Sequence, residues 1–223
     1  MRECIIDINI LMSFNKIQIL DCGIGNANSV LNALRYIRIP SEIIYDTKKI
    51  NLNSKLILPG VGNFHEYVNR LEEVFKFREI NRFIIKGEVP ILGICVGMQS
   101  FFSSSEEESR FKTKLNGLKW LKGNLVSFLN HKRNDLKSPN MGWRHLRIKN
   151  DSTLHIVNSK KFYFCHSYYL ENFEEQEVMA HSTNGIDFPA VVKSKNIIGC
   201  QFHPEKSGKA GLEFLKWYWE LNQ

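Results

Sequence analysis

No apolar run in this chain approaches the ~20 residues needed to span a bilayer. The N-terminal Cys4–Leu11 stretch is short and interrupted by Asp7 and Asn9. It has no basic lead and no small-residue cleavage site, which argues against a signal peptide. There is no C-x-x-C pair either. The five cysteines, Cys4, Cys22, Cys95, Cys165 and Cys200, form an odd set, three of them in apolar, strand-like runs. This speaks against disulfides and zinc, and for a reducing, cytoplasmic setting; no cofactor or metal is implied. The chain has no internal repeat and no domain linker. The net charge of +7 comes from scattered lysines and arginines with no nucleic-acid module, so it reads as a solvated basic surface. Part of that surface is available to an acidic patch on a protein partner.

What is present is enough for one α/β unit: 223 residues, 43% of them hydrophobic. The most informative stretch is Gly93-Ile94-Cys95-Val96-Gly97-Met98-Gln99, directly behind the apolar Val89-Pro90-Ile91-Leu92. The layout is a strand running into a tight glycine turn with a thiol at its apex and a helix beyond, the cysteine counterpart of the G-x-S-x-G elbow. A helix N-terminus behind the thiol would favour thiolate. Alone, the pattern is equally a buried, inert cysteine.

Two further stretches shift the balance. The apolar Ile197-Ile198-Gly199-Cys200 leads into Gln201-Phe202-His203-Pro204-Glu205, which sets an imidazole and a carboxylate two residues apart just past a strand. That spacing suits a base, His203, and the group that orients it, Glu205. The run Lys55-Leu56-Ile57-Leu58-Pro59 precedes Gly60-Val61-Gly62, whose glycines can present backbone N–H groups to a developing oxyanion or simply make a turn.

Taken together, Pro59-Gly60-Val61-Gly62, the Cys95 elbow and His203-Pro204-Glu205 resemble the class I, triad-type glutamine amidotransferases. Three more stretches resemble the glutaminase subunit of imidazole glycerol phosphate synthase: Asp21-Cys22-Gly23-Ile24-Gly25-Asn26 with Ser29-Val30, Pro139-Asn140-Met141-Gly142-Trp143, and Phe162 to Tyr168. The likeness runs from about residue 16 to 220 in the family's order and spacing. Residues 1–15 stand outside it and read as an extension, or as an upstream start with Met12 as the true beginning; residues 16–223 read as a single domain.

The resemblance implies glutamine hydrolysis by Cys95, His203 and Glu205, with an oxyanion hole from the backbone of Val61, Gly62 and Val96. Glutamine contacts are implied at Gly62, Gln99, Ser167 and Tyr168. A (β/α)₈ cyclase is the implied partner in a heterodimer, with Asn26, Trp143, Tyr163 and Lys206 at the contact and Tyr163 and Lys206 as a gate. In the family, ammonia passes through that partner to make imidazole glycerol phosphate and AICAR in histidine biosynthesis. Three positions depart from the family's pattern: Cys22 where an aromatic is common, Ala27 where leucine is usual, and Arg144 where asparagine is frequent. They flank the presumed partner contact, and paralogues that supply ammonia for amidination of a surface-polysaccharide sugar are the alternative. His166 reads as a hydrogen-bonded strand histidine, and Cys165 and Cys200 as packing residues.

The periodicity predicts a strand at Ile17–Asp21, a helix from Asn28 to Ile37, strands at Ser41–Tyr45 and Lys55–Pro59, and a largely helical His65–Lys86 stopped by Gly87. After the elbow come a polar Ser103–Ser109 loop, strand-like runs from Asn124 to Phe202, a second polar loop at Asn130–Ser138 and a final helix at Lys209–Leu221. The expected fold is α/β: a largely parallel central sheet flanked by helices, with antiparallel strand additions in the C-terminal half.

Overall fold

A computed structural model describes residues 14–109, 115–132, 136–149 and 153–221. The readings made for residues 1–13, and for part of the second polar loop, lie outside them. The strands are β1 (Ile17–Leu20), β2 (Ser41–Ile44), β3 (Lys55–Gly60), β4 (Ile91–Cys95), β5 (Ser104–Ser105), β6 (Asn124–Ser127), β7 (Asn140–His145), β8 (Arg147–Ile148), β9 (Lys161–His166), β10 (Tyr168–Glu171), β11 (Val178–Thr183), β12 (Asp187–Ser194) and β13 (Ile197–Cys200). The helices are α1 (Ala27–Tyr36), α2 (Phe64–Phe75), α3 (Phe77–Lys86), the single turn α4 (Val96–Gln99) and α5 (Gly208–Glu220).

The main sheet has the order β2-β1-β3-β4-β13-β12-β11-β8. β2, β1, β3, β4 and β13 are parallel, and β12, β11 and β8 continue antiparallel. The expected α/β architecture is therefore the observed one. Strands β1, β3, β4 and β13 are buried along their whole length, which is why β4, β13 and, after Lys55, β3 read as continuous apolar runs rather than alternating ones. Helices pack on the sheet through regular stripes. Ala27, Val30, Leu31 and Leu34 form one in α1, and Gly211, Phe214, Leu215 and Tyr218 another in α5. The side chain of Asn63 caps α2 by accepting from the N–H groups of His65 and Glu66. Buried Lys55, at the start of β3, donates from Nζ to the carbonyls of Tyr218, Trp219 and Leu221 at 2.6 to 2.9 Å. Burial pulls its ammonium down to about 8, yet the negative end of α5 keeps a cation welcome there. That cap fixes the far end of the strand whose other end is Gly60.

Three local expectations need correction. The predicted His65–Lys86 helix is two helices, broken where Lys76 takes a left-handed φ of 43°. In one continuous helix, positions 75 and 77 would point about 200° apart. With the break, Phe75 and Phe77 are both buried and pack edge to face, ring centroids 6.3 Å apart. The Asn140–Trp143 stretch, not foreseen as regular structure, is strand β7 paired antiparallel with β9. The helix after the elbow is only one turn, so the dipole expected behind the thiol is small.

Candidate active site

Parallel pairing delivers the three motifs to one place. β3, β4 and β13 are neighbours, and Gly60 lies in register with Cys95. Gly60-Val61-Gly62, the elbow and the Gln201–Glu205 segment therefore all leave the sheet at its carboxyl edge, where open α/β sheets bind ligands. Cys95 has φ 54° and ψ −112°, a conformation a β-branched or bulky residue enters only under strain, as expected of a nucleophile elbow. The flanking glycines are there for space. A Cβ on Gly97 would lie 1.9 Å from the carbonyl oxygen of Leu58, and one on Gly93 would lie 2.6 Å from the backbone nitrogen of Met98.

The Cys95 sulfur is buried and has three polar neighbours. The carbonyl oxygen of Cys165 lies at 3.9 Å and the side-chain amide nitrogen of Gln201 at 3.7 Å. The third is the His203 imidazole, on the same cavity wall and close enough for the sulfur to raise its pKa. On the far side of that ring, Nδ1 donates to Oε1 of Glu205 at 2.9 Å, which turns Nε2 toward the sulfur. The two side chains are 3% and 1% exposed, so the pair works without competing water. Burial alone would hold the imidazole neutral. Its hydrogen bonds to Cys95 and Glu205, and their charges, override burial and push His203 up to about 10. The segment is anchored from behind: the His203 N–H donates to the Tyr163 carbonyl, and the Ser207 hydroxyl donates to the His203 carbonyl.

These groups line a cavity of about 580 Å³. Its walls bring together Cys95 and His203 with Val61, Gly62, Val96, Gln99, Ser167 and Tyr168, and with Asn26, Tyr163 and Lys206 at the side. Two of the residues singled out from sequence are not on the wall. Glu205 sits behind the imidazole, and Trp143 stands outside, edge-on to Tyr163 at 6.1 Å and half exposed. The N–H groups of Val61 and Gly62 enter no backbone hydrogen bond with another described residue. Val96 opens α4, so its N–H has no partner within the turn. Gln99 is buried and donates to the Gln201 amide oxygen at 3.0 Å and to the Tyr168 carbonyl at 3.4 Å. His166 is a buried strand histidine: Nδ1 donates to the Tyr168 carbonyl and Nε2 accepts from Asn140. Burial takes it down to about 4, so it is neutral.

Sequence reading missed two groups. Glu107, in the serine-rich loop, brings a carboxylate to the wall, held by the Phe64 N–H at 2.6 Å and raised by burial. A lone acid in a run of three glutamates gave no signal. Gln201, a single amide inside an apolar run, was legible only as strand.

The class I glutamine amidotransferase family model matches residues 18–218. A solved structure described as a glutamine amidotransferase shares the fold, with TM-score 0.68 at 17% identity, covering 91% of this chain and 98% of that one. The chain belongs to the class I glutamine amidotransferase family, a family of enzymes. Among its relatives are imidazole glycerol phosphate synthase subunits HisH. The one from Caldanaerobacter subterraneus is 42% identical over 92% of this chain and 98% of its own length. The one from Leptospira borgpetersenii is 37% identical over 90% and 97%. Among the described residues, no helix is long and apolar enough to cross a membrane.

Proposed function

We propose that this chain, a single domain over residues 16–223, hydrolyses glutamine in the cytoplasm and passes the ammonia to a (β/α)₈ cyclase partner. The partner would use it to form imidazole glycerol phosphate and AICAR in histidine biosynthesis. One observation carries the catalytic part: a sulfur and an imidazole on one cavity wall, with a buried carboxylate hydrogen-bonded behind the ring and the backbone of Val61, Gly62 and Val96 on the same wall.

With the proton of the Cys95–His203 pair on Nε2, sulfur attacks the side-chain amide carbon, and the oxyanion meets the N–H groups of Val96 and of Val61 or Gly62. Each such donor is worth a factor of about 10² to 10³. The imidazolium, held in orientation by Glu205, gives its proton to the leaving ammonia. Water then cleaves the thioester, His203 returns a proton to the sulfur, and glutamate departs. Gly62, Gln99, Ser167 and Tyr168 hold the substrate, and Glu107, the one carboxylate among the described residues of the wall, suits its ammonium group.

Ammonia freed into water becomes ammonium, which is no nucleophile, so the site needs a closed route onward. Met141 and Trp143 expose two large apolar side chains from β7 beside the cavity mouth, the kind of surface a partner covers. Asn26, Trp143, Tyr163 and Lys206 meet the cyclase, and Tyr163 with Lys206 gates the passage. Acceptor binding on the partner activates the site by rearranging Gly60-Val61-Gly62. The test is glutamine turnover by the co-purified pair, with and without the phosphorylated ribulosyl acceptor. Stimulation by the acceptor is expected. Full turnover by the chain alone, or a pair that never assembles, refutes the coupling.

A further inference from the structure

We infer that Gln201 is a positioning residue for the nucleophile: its side-chain amide donates a hydrogen bond to the Cys95 sulfur and links that sulfur to the glutamine contact Gln99. The inference rests on the reading of Cys95 as nucleophile.

The orientation of the amide follows from its neighbours. A carbonyl can only accept, so the Gln99 atom facing the Tyr168 carbonyl at 3.4 Å is the nitrogen. That same nitrogen lies 3.0 Å from the Gln201 side chain, which must therefore offer its oxygen. The Gln201 nitrogen is then left facing sulfur at 3.7 Å. Continued through the thiol to the Cys165 carbonyl at 3.9 Å, the bonds run in one direction, from Gln99 through Gln201 and Cys95. Each donor polarises the next. Gln99 and Gln201 are 3% and 1% exposed, so no water substitutes for either bond.

The consequence appears in the state that has the thiol proton on His203. The bond to the Cys165 carbonyl is lost with that proton, whereas the Gln201 N–H becomes a donor to an anion and strengthens. Gln201 thus stabilises the attacking form and fixes the direction of the sulfur. Gln99 also lines the substrate cavity, so an occupied cavity is sensed at the sulfur through one amide.

The test compares wild type, Gln201→Met and Gln201→Glu, each in complex with the cyclase partner. Met keeps the length and removes the donor; Glu keeps an oxygen for Gln99 and sets a carboxylate against the sulfur. Two readouts are taken: kcat and KM for glutamine, and the rate of Cys95 alkylation by iodoacetamide, followed at the Cys95 peptide at pH 7 and pH 10. Gln201→Met is expected to lose about tenfold in kcat with KM within about threefold. Its alkylation should fall about tenfold at pH 7 and stay unchanged at pH 10. Gln201→Glu is expected to lose about 100-fold in kcat. A merely structural glutamine would change both pH values alike. Wild-type kcat and an unaltered alkylation profile in Gln201→Met overturn the inference. If that variant does not assemble, the same result in Gln201→Glu does so. Failure of the parent reading looks different: wild type itself would neither turn over glutamine nor take a glutamine-mimicking electrophile on Cys95.

Discussion

His166 and His203 face the same cavity, both more than nine-tenths buried, yet one ring is held down to about 4 and the other up to about 10. Burial acts on both in the same direction. What differs is the company. His203 has a carboxylate on Nδ1 and the Cys95 sulfur near enough to raise it, whereas His166 has an amide and a carbonyl, neutral groups that a neutral ring satisfies completely. The corner with charged partners keeps a proton on its ring at neutral pH, ready for a leaving group; the corner with neutral partners stays neutral and bonds β9 to β7. A histidine on a cavity wall is thus assigned by what its two nitrogens touch.

The largest expected effect breaks the comparison at its functional end. His203→Asn should cost at least about 10⁴-fold in kcat for glutamine in the partner complex, while His166→Gln should stay within about tenfold. Glutamate release with acceptor present measures both, and equal losses would put proton transfer on the wrong ring. Next, Glu205→Gln keeps the shape and removes the charge behind the imidazole. A loss of about 10³-fold is expected, because the charge that holds the ring as a cation, in the right orientation, is gone. A ¹⁵N-imidazole titration should show the His203 ring in that variant falling well below about 10, with His166 unmoved.

That contrast was half legible in the sequence. His203 announced itself because Glu205 is two residues away, and a local pair survives any fold. The partners of His166, Asn140 and the Tyr168 carbonyl, become readable only once β7 is known to lie against β9. The same division runs through the fold. The sheet centre was legible because β3, β4 and β13 are buried on both faces and read as unbroken apolar runs. The break at Lys76 was not, since it is imposed by Phe75 and Phe77 seeking one core rather than by a glycine or proline. Gln201 was missed for the same reason: its contacts, to Gln99 of α4 and to Cys95 at the end of β4, are invisible in a run of neighbours.

Stability against pH sharpens the comparison further. Between pH about 6.5 and 4 an unfolded chain takes up a proton at position 166 that the folded ring refuses, so acid favours unfolding. Roughly 3 kcal/mol should be lost across that window through His166, a ring only 6% exposed. His203 has the opposite sign: its contribution is complete below about 6.5 and is lost as pH rises through about 10. Urea unfolding at pH 6.5 and 4.5 should show a smaller acid loss in His166→Gln than in wild type. The carboxylates lowered by their ion pairs, Glu42 and Asp187 among them, also lose stability in acid, but equally in both proteins. Identical acid slopes would mean that the His166 ring is protonated in the fold.

The smallest effect is expected where the sulfur meets the neutral corner. Cys165 lines the cavity one residue before His166 and is the second thiol on its wall. What it offers the Cys95 sulfur, however, is its backbone carbonyl, at 3.9 Å. A main-chain acceptor is kept whatever side chain the residue carries, and β9 holds that carbonyl through its pairing with β7. Cys165→Ser should therefore leave kcat within about twofold and leave labelling by a glutamine-mimicking electrophile confined to Cys95. Cys95→Ser should abolish both, although it too changes a single sulfur to oxygen in the same cavity. Loss of turnover in Cys165→Ser would mean that the neutral corner takes part in the chemistry, and the division between the two histidines would have to be redrawn.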